Sequence, residues 1–136
     1  RNCAEAGIKD FGIVGIDGGW EIYVAGNGGT DLRAADLLET VKTKEEAMEL
    51  IGAFLQYYRE TATYLERTSK WVERVGLDHV REVLADAEVR KALNARLDQT
   101  LERYSDPWEE AIESKEIKEK YYSRQAGRKE LASARR

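Results

Sequence analysis

The sequence predicts an α+β fold, a small antiparallel β-hairpin or sheet at the N-terminal end packed against several helices. Three observations carry the prediction. Eight of the eleven glycines precede Thr30, so tight turning is concentrated at one end. Residues 11–24 hold β-branched and alternating apolar residues, and from Thr43 onward apolar residues recur at three- and four-residue steps between capping signals. With 136 residues, 42% hydrophobic and 35% charged, the chain suffices for one domain burying about two-thirds of its unfolded surface. The composition shift near residue 42 then reads as a change of layer within that domain.

The elements follow in order. Phe11 to Ile16 is a β-branched run, and Trp20, Ile22 and Val24 alternate with Glu21 and Tyr23 in the period of a half-buried strand. Between them, Asp17-Gly18-Gly19 supplies residues that accept positive φ, as a tight hairpin connection requires. A hairpin cannot stand alone in water, so its apolar face needs a cover. Thr43 with Glu46 three residues later forms a capping box that opens a long helix. Along it Met48, Ile51, Leu55, Tyr58, Ala62 and Leu65 predict one apolar stripe lying across the hairpin. Thr68-Ser69 interrupts this pattern, Trp71 and Val75 resume it, and Gly76 reads as a left-handed stop. Asp78 then reads as the cap of a short helix with Val80, Val83 and Leu84. A further helix from about Asp86 places Val89, Leu93, Leu97, Leu101 and Tyr104 on one side. Asp106-Pro107-Trp108-Glu109 sets a capping acid before a proline at the first helical position, predicting a last helix from Pro107 to about Tyr122. Beyond it Arg124, Arg128, Lys129, Arg135 and Arg136 oppose only Glu130, so a frayed basic tail is expected.

Composition narrows the function. A net charge of -4 argues against a nucleic-acid binder, because phosphate recognition needs a basic footprint. One cysteine allows no intrachain disulfide, and one histidine adds too little for a zinc site. No apolar run approaches the roughly 20 residues of a membrane span. Arg1 is followed by no signal or transit pattern and reads as a cut edge, so the chain is expected to be cytosolic and excised from something larger.

Two places rise above this background. The first is Arg1-Asn2-Cys3-Ala4-Glu5-Ala6-Gly7, where a thiol sits among small and basic residues, although a solitary cysteine is more often a small buried hydrophobe. The second is Gly26-Asn27-Gly28-Gly29, directly after the second strand, where bare backbone can approach a bulky ligand or serve simply as a flexible turn. It does not complete a dinucleotide fingerprint, since position 31 is Asp. His79 reads as an exposed helix residue. The pairs Glu45-Glu46, Glu109-Glu110 and Glu113-Glu116 favour helix N-termini or solvate a face, and form no acid/base dyad.

Taken together, Arg1 to Asp10, Gly18-Gly19-Trp20-Glu21-Ile22-Tyr23-Val24 and Gly26 to Gly29 resemble the siroheme-containing nitrite and sulfite reductases. Leu65-Glu66-Arg67-Thr68, Trp71, Glu73-Arg74-Val75-Gly76-Leu77 and Asp106-Pro107-Trp108 extend the resemblance to about residue 110, nearest in type to the large subunits of the NAD(P)H-dependent nitrite reducers. In that family four cysteines hold a [4Fe-4S] cluster, and the last thiolate also bridges to siroheme iron. Cys3 matches that last cysteine, and thiolate is the soft ligand a cluster requires. The resemblance implies that Asn2, Cys3, Gly26, Asn27, Gly28 and Gly29 face the cofactors, with Cys3 as the metal ligand. It divides the chain into cofactor-facing hairpin and loops over 1–42, a helical part over 43–122 and the tail over 123–136.

The other three cluster cysteines would lie before Arg1, so the isolated chain is expected to bind no cofactor and to be inactive. FAD and NAD(P)H would belong to further domains, and upstream domains of the same polypeptide and a small subunit would be partners. The implied activity is six-electron reduction of nitrite to ammonia. Two alternatives stay open: siroheme-dependent sulfite reduction, and a non-catalytic module that docks a partner through Met48, Ile51 and Leu55.

Overall fold

The computed structural model describes residues 3–120, 122 and 123. Asn2 and the basic residues from Arg124 onward lie outside the described residues. The chain forms two compact units, residues 1–99 and 100–136.

The first unit is α+β. Strands β1 (Phe11–Ile16), β2 (Gly19–Val24) and β3 (Asp36–Val41) form an antiparallel sheet in that order. The predicted hairpin is present, running from Phe11 opposite Val24 to Ile16 opposite Gly19. Its turn needs positive φ at Gly18 alone, at 82°. The third strand escapes the sequence pattern because it does not alternate. A register shift between Ile22 and Tyr23 sets Glu39 opposite Ile22 and Leu37 opposite Tyr23, leaving Leu38 between them. Of the two adjacent leucines, Leu38 is buried and Leu37 exposed, as neighbouring strand residues on opposite faces are.

Helices α1 (Lys44–Thr61), α2 (Thr68–Val75), α3 (Leu77–Ala85) and α4 (Ala87–Leu101) follow. The capping box at α1 is formed as predicted: the Glu46 amide donates to Thr43 Oγ1 at 3.1 Å, and the Thr43 amide donates to Glu46 Oε2 at 3.0 Å. The buried face of α1 differs from the predicted stripe. Ala47, Leu50, Ile51, Ala53 and Phe54 are buried, whereas Met48 is exposed and Leu65 lies beyond the helix in solvent. The large side chains suggested one register, but α1 meets the sheet on one side and α4 on another, so small residues also count as interior. With Ile51 in the core and Met48 outside it, these two and Leu55 form no continuous docking face.

Gly76 has the positive φ expected of a stop, 87°, although its ψ of 133° is outside the left-handed helical region. Gly76 is also the N-cap of α3, which starts at Leu77, so Asp78 sits inside the first turn and pairs with Arg81 at 2.9 Å instead of capping. Asp86 caps α4, its Oδ1 accepting from the Glu88 amide at 2.9 Å. Along α4, Leu93 is buried, whereas Val89 and Leu101 are exposed.

Trp71 anchors the core with no exposed surface. Phe54, Tyr57 and Tyr58 meet it edge-on at centroid distances of 5.7, 5.4 and 5.5 Å, and its indole N–H donates to Thr61 Oγ1 at 3.0 Å. Ile22 and Val24 from β2 and Val80, Leu84 and Leu93 from the helices complete the same cluster.

In the second unit α5 (Pro107–Glu113) begins where predicted, with Asp106 Oδ1 accepting from the Trp108 amide at 2.8 Å. It does not continue to Tyr122. The helix breaks at Ser114, whose hydroxyl accepts from the Ile117 amide at 3.3 Å and restarts helical structure over 115–120. A serine bonding to nearby backbone competes with helix continuation, and apolar periodicity does not register it.

Candidate functional site

Cys3 is an exposed free thiol in a turn at the N-terminal end of the described chain. After it come Glu5, with a left-handed φ of 54°, and a 3₁₀ turn over Ala6–Ile8. Ala6 is buried against Gly12 of β1, where an added Cβ would lie 2.5 Å from the Ala6 carbonyl oxygen. The turn is held on one flank by its own residues, the Lys9 ammonium pairing with Glu5 at 3.0 Å.

The glycine loop is the other half of the site, and the backbone stitches it to the Cys3 segment. The Ala25 and Gly26 amides donate to the carbonyls of Asp10 and Lys9, each at 2.9 Å, and the Ala35 amide donates to Gly7 at 2.7 Å. Gly26 is buried, and a Cβ there would lie 2.6 Å from the Lys9 carbonyl oxygen. Its missing side chain is therefore used by the chain's own backbone. Asn27 pairs with Arg33 in an isolated bridge, and its Oδ1 accepts from the Gly29 amide at 3.1 Å, folding the loop tip into an Asx turn. Gly28 and Gly29 are exposed. Two segments separated by a hairpin in the sequence thus form one surface.

Helix α2 braces both segments through charge. Asp10 accepts from Arg67 at 2.7 Å and from the Thr68 hydroxyl at 2.5 Å. On the loop side, Lys70 pairs with Asp31 at 2.6 Å, and Arg33 reaches Glu73 at 3.2 Å while donating to the Ala25 carbonyl at 2.8 Å. Asp31 first, and Glu73 second, hold the Lys70 ammonium above the usual lysine range. Sequence reading gave no site role to Asp10, Asp31, Arg33, Arg67, Lys70 or Glu73. Asp10 and Arg67 are 57 residues apart, and no local periodicity reports a pairing over that span.

The remaining candidates are structural. His79 is exposed on α3, its Nε2 3.1 Å from the Tyr57 hydroxyl. Glu46 is engaged in its capping box, where the Thr43 and Lys42 amides hold its carboxyl below the usual range. Among the described residues no three His, Cys, Asp or Glu side chains converge on a point that could hold a metal ion. The donor set fits one corner of a cluster: Cys3 offers a soft, exposed thiol that could complete a site whose other ligands come from elsewhere. No helix among the described residues is long and apolar enough to cross a membrane.

Residues 1–93 match the nitrite and sulphite reductase 4Fe-4S domain. The chain belongs to this family. A nitrite reductase [NAD(P)H] of Bacillus subtilis is 62% identical over 122 residues, covering 90% of this chain and 15% of that protein. The nitrite reductase (NADH) large subunit of Escherichia coli is 38% identical over 105 residues, 76% of this chain and 12% of that one. An assimilatory-type sulfite reductase of Nitratidesulfovibrio vulgaris is 35% identical over 82 residues, 60% of this chain and 38% of its own length. The chain therefore spans a minor part of each relative. The matched 93 residues include Cys3, the glycine loop and all of α2, so the braced surface lies within the family's 4Fe-4S domain.

Proposed function

We propose that the chain is the C-terminal part of the siroheme domain of an assimilatory nitrite reductase large subunit, an oxidoreductase whose intact form reduces nitrite to ammonia with six electrons. The observation that carries this reading is an exposed thiol on a segment bonded to the glycine loop, a thiol that the resemblance matches to the family's last cluster cysteine. A [4Fe-4S] cluster and siroheme, when bound, would supply the electron transfer and the iron that binds the anion. This chain's residues do the placing. Cys3 would provide the bridging thiolate, with Asn2 beside it in the sequence. Gly26 lets the cysteine segment close onto β2. Asn27 folds the tip so that Gly28 and Gly29 present bare backbone to the cofactors. The other three cysteines, FAD and NAD(P)H belong to further parts of the same polypeptide, a small subunit is the second partner, and the setting is cytoplasmic.

Replacing Cys3 by Ser in the intact large subunit tests the reading. Loss of outer-shell partners at metal sites costs roughly 10–100-fold. Removing a ligand is therefore expected to lower nitrite turnover by more than about 100-fold and to abolish the siroheme absorption band. Retention of both would end the assignment. The match to a sulfite reductase keeps sulfite as the second candidate substrate, and parallel assays with nitrite and sulfite separate the two.

A further inference from the structure

We propose that Asp10 is a positioning residue that sets the placement of Cys3 by latching its segment to the N-terminal end of α2. The inference rests on the reading of Cys3 as a cofactor ligand and goes beyond it, because Asp10 is no ligand and acts through Arg67 and Thr68.

Three features of the geometry carry the argument. First, Asp10 is the junction between the cysteine segment and the sheet, since Phe11 begins β1 and the Asp10 carbonyl already accepts from Ala25 at 2.9 Å. Fixing its side chain therefore fixes the point from which Ala6, Gly7 and the turn at Cys3 project. Second, the carboxylate is shared between partners of different character. Oδ2 meets the Arg67 guanidinium at 2.7 Å, and Oδ1 meets the Thr68 hydroxyl at 2.5 Å. Thr68 is only 3% exposed and opens α2, so the latch reaches a rigid part of the fold. A carboxylate at the first turn of a helix is also favoured by the helix dipole. Third, the same helix grips the glycine loop through Lys70–Asp31 and Arg33–Glu73. Behind these polar contacts Trp71 and Val72 are locked in the core. Helix α2 is thus one plate to which both cofactor-facing segments are fastened, and Asp10 is the fastening on the cysteine side.

The exposed Asp10–Arg67 pair contributes little to global stability, so its part in the latch should be visible chiefly in the cofactor. The test uses the intact large subunit, comparing Asp10→Ala with Glu60→Gln. Glu60 pairs with Arg96 at 2.6 Å on α1, away from both segments, and controls for loss of an ion pair as such. Siroheme absorption, iron per chain after desalting and the thermal midpoint are measured for each. Asp10→Ala is expected to halve the bound iron or displace the siroheme band, while Glu60→Gln leaves both at the parent value; the thermal midpoint of Asp10→Ala falls below that of Glu60→Gln, because the buried Thr68 hydroxyl loses its acceptor. A second pair covers the case in which Asp10→Ala does not fold: Arg67→Lys, which keeps the charge, should restore the spectrum that Arg67→Ala perturbs.

Asp10 and Arg67 variants with the spectrum and iron content of Glu60→Gln would overturn the latch. Cys3→Ser separates the two failures. If it loses the band while Asp10→Ala is silent, only the latch is wrong; if it keeps the band, the reading of Cys3 is wrong and the latch falls with it.

Discussion

Glu66 carries a pH dependence that can be isolated. Arg74 grips its carboxylate at 2.8 and 2.6 Å, and the Thr63 amide donates to it at 2.9 Å. Chiefly through Arg74, and then through that amide, its pKa falls from 4.5 to about 2. A carboxyl with a depressed native pKa binds fewer protons folded than unfolded between the two values, so stability rises with pH there. The contribution is complete above 4.5 and lost as pH falls toward 2. Glu66→Gln should flatten this part of the stability profile, as read by denaturant unfolding at pH 5, 4, 3 and 2. A variant as steep as the parent between pH 4.5 and 2 would refute the assignment. The same residue holds the loop after α1, where Leu65 adopts a φ of 62° and the Tyr58 hydroxyl donates to the Glu66 carbonyl. At this scale the site was half legible. Cys3 and Gly26 to Gly29 are conspicuous as residue types, but Asp10 looks like any charged residue until the chain folds Arg67 against it.

Helix boundaries were the most legible part of the chain where a side chain caps its own backbone, because such a signal is complete within four residues. Thr43 and Glu46 at α1 and Asp106 at α5 are of this kind. Thr43→Ala should lower stability by about 1 kcal/mol, since the first turn loses an acceptor for an orphan amide; a thermal midpoint equal to the parent's would show that tertiary packing alone sets the start of α1. Strand β3 and the buried face of α1 were illegible for a shared reason. Each is decided by partners distant in sequence: Leu38 is buried because α1 and α3 pack against β3, and Ala47 and Ala53 count as core because other elements close over them. Ser114 is the converse, a local signal outvoted in the reading by the apolar residues on both sides of it.

On the scale of the whole molecule, stability of the first unit is concentrated around Trp71. Its ring touches three aromatic residues of α1, and its own helix carries the charges that brace the site. Trp71→Ala should cost about 3–5 kcal/mol, the range for removing a large buried aromatic. The loss would show as a lowered denaturant midpoint, and a midpoint equal to the parent's would refute it. The fold class was legible because it depends on patterns summed over many residues. The joining of the Cys3 segment to the glycine loop was not, because it depends on a few long-range pairs. The pairing of Asp10 with Arg67 over 57 residues has a consequence in time. As the polypeptide leaves the ribosome, Cys3 emerges well before its brace exists, and the closure entropy of that long loop must be met before the pair contributes anything in return. The turn at Cys3 is therefore held from the α2 side only after α2 has been synthesised and Trp71 has docked, so the segment that precedes the sheet is latched after the sheet itself has formed.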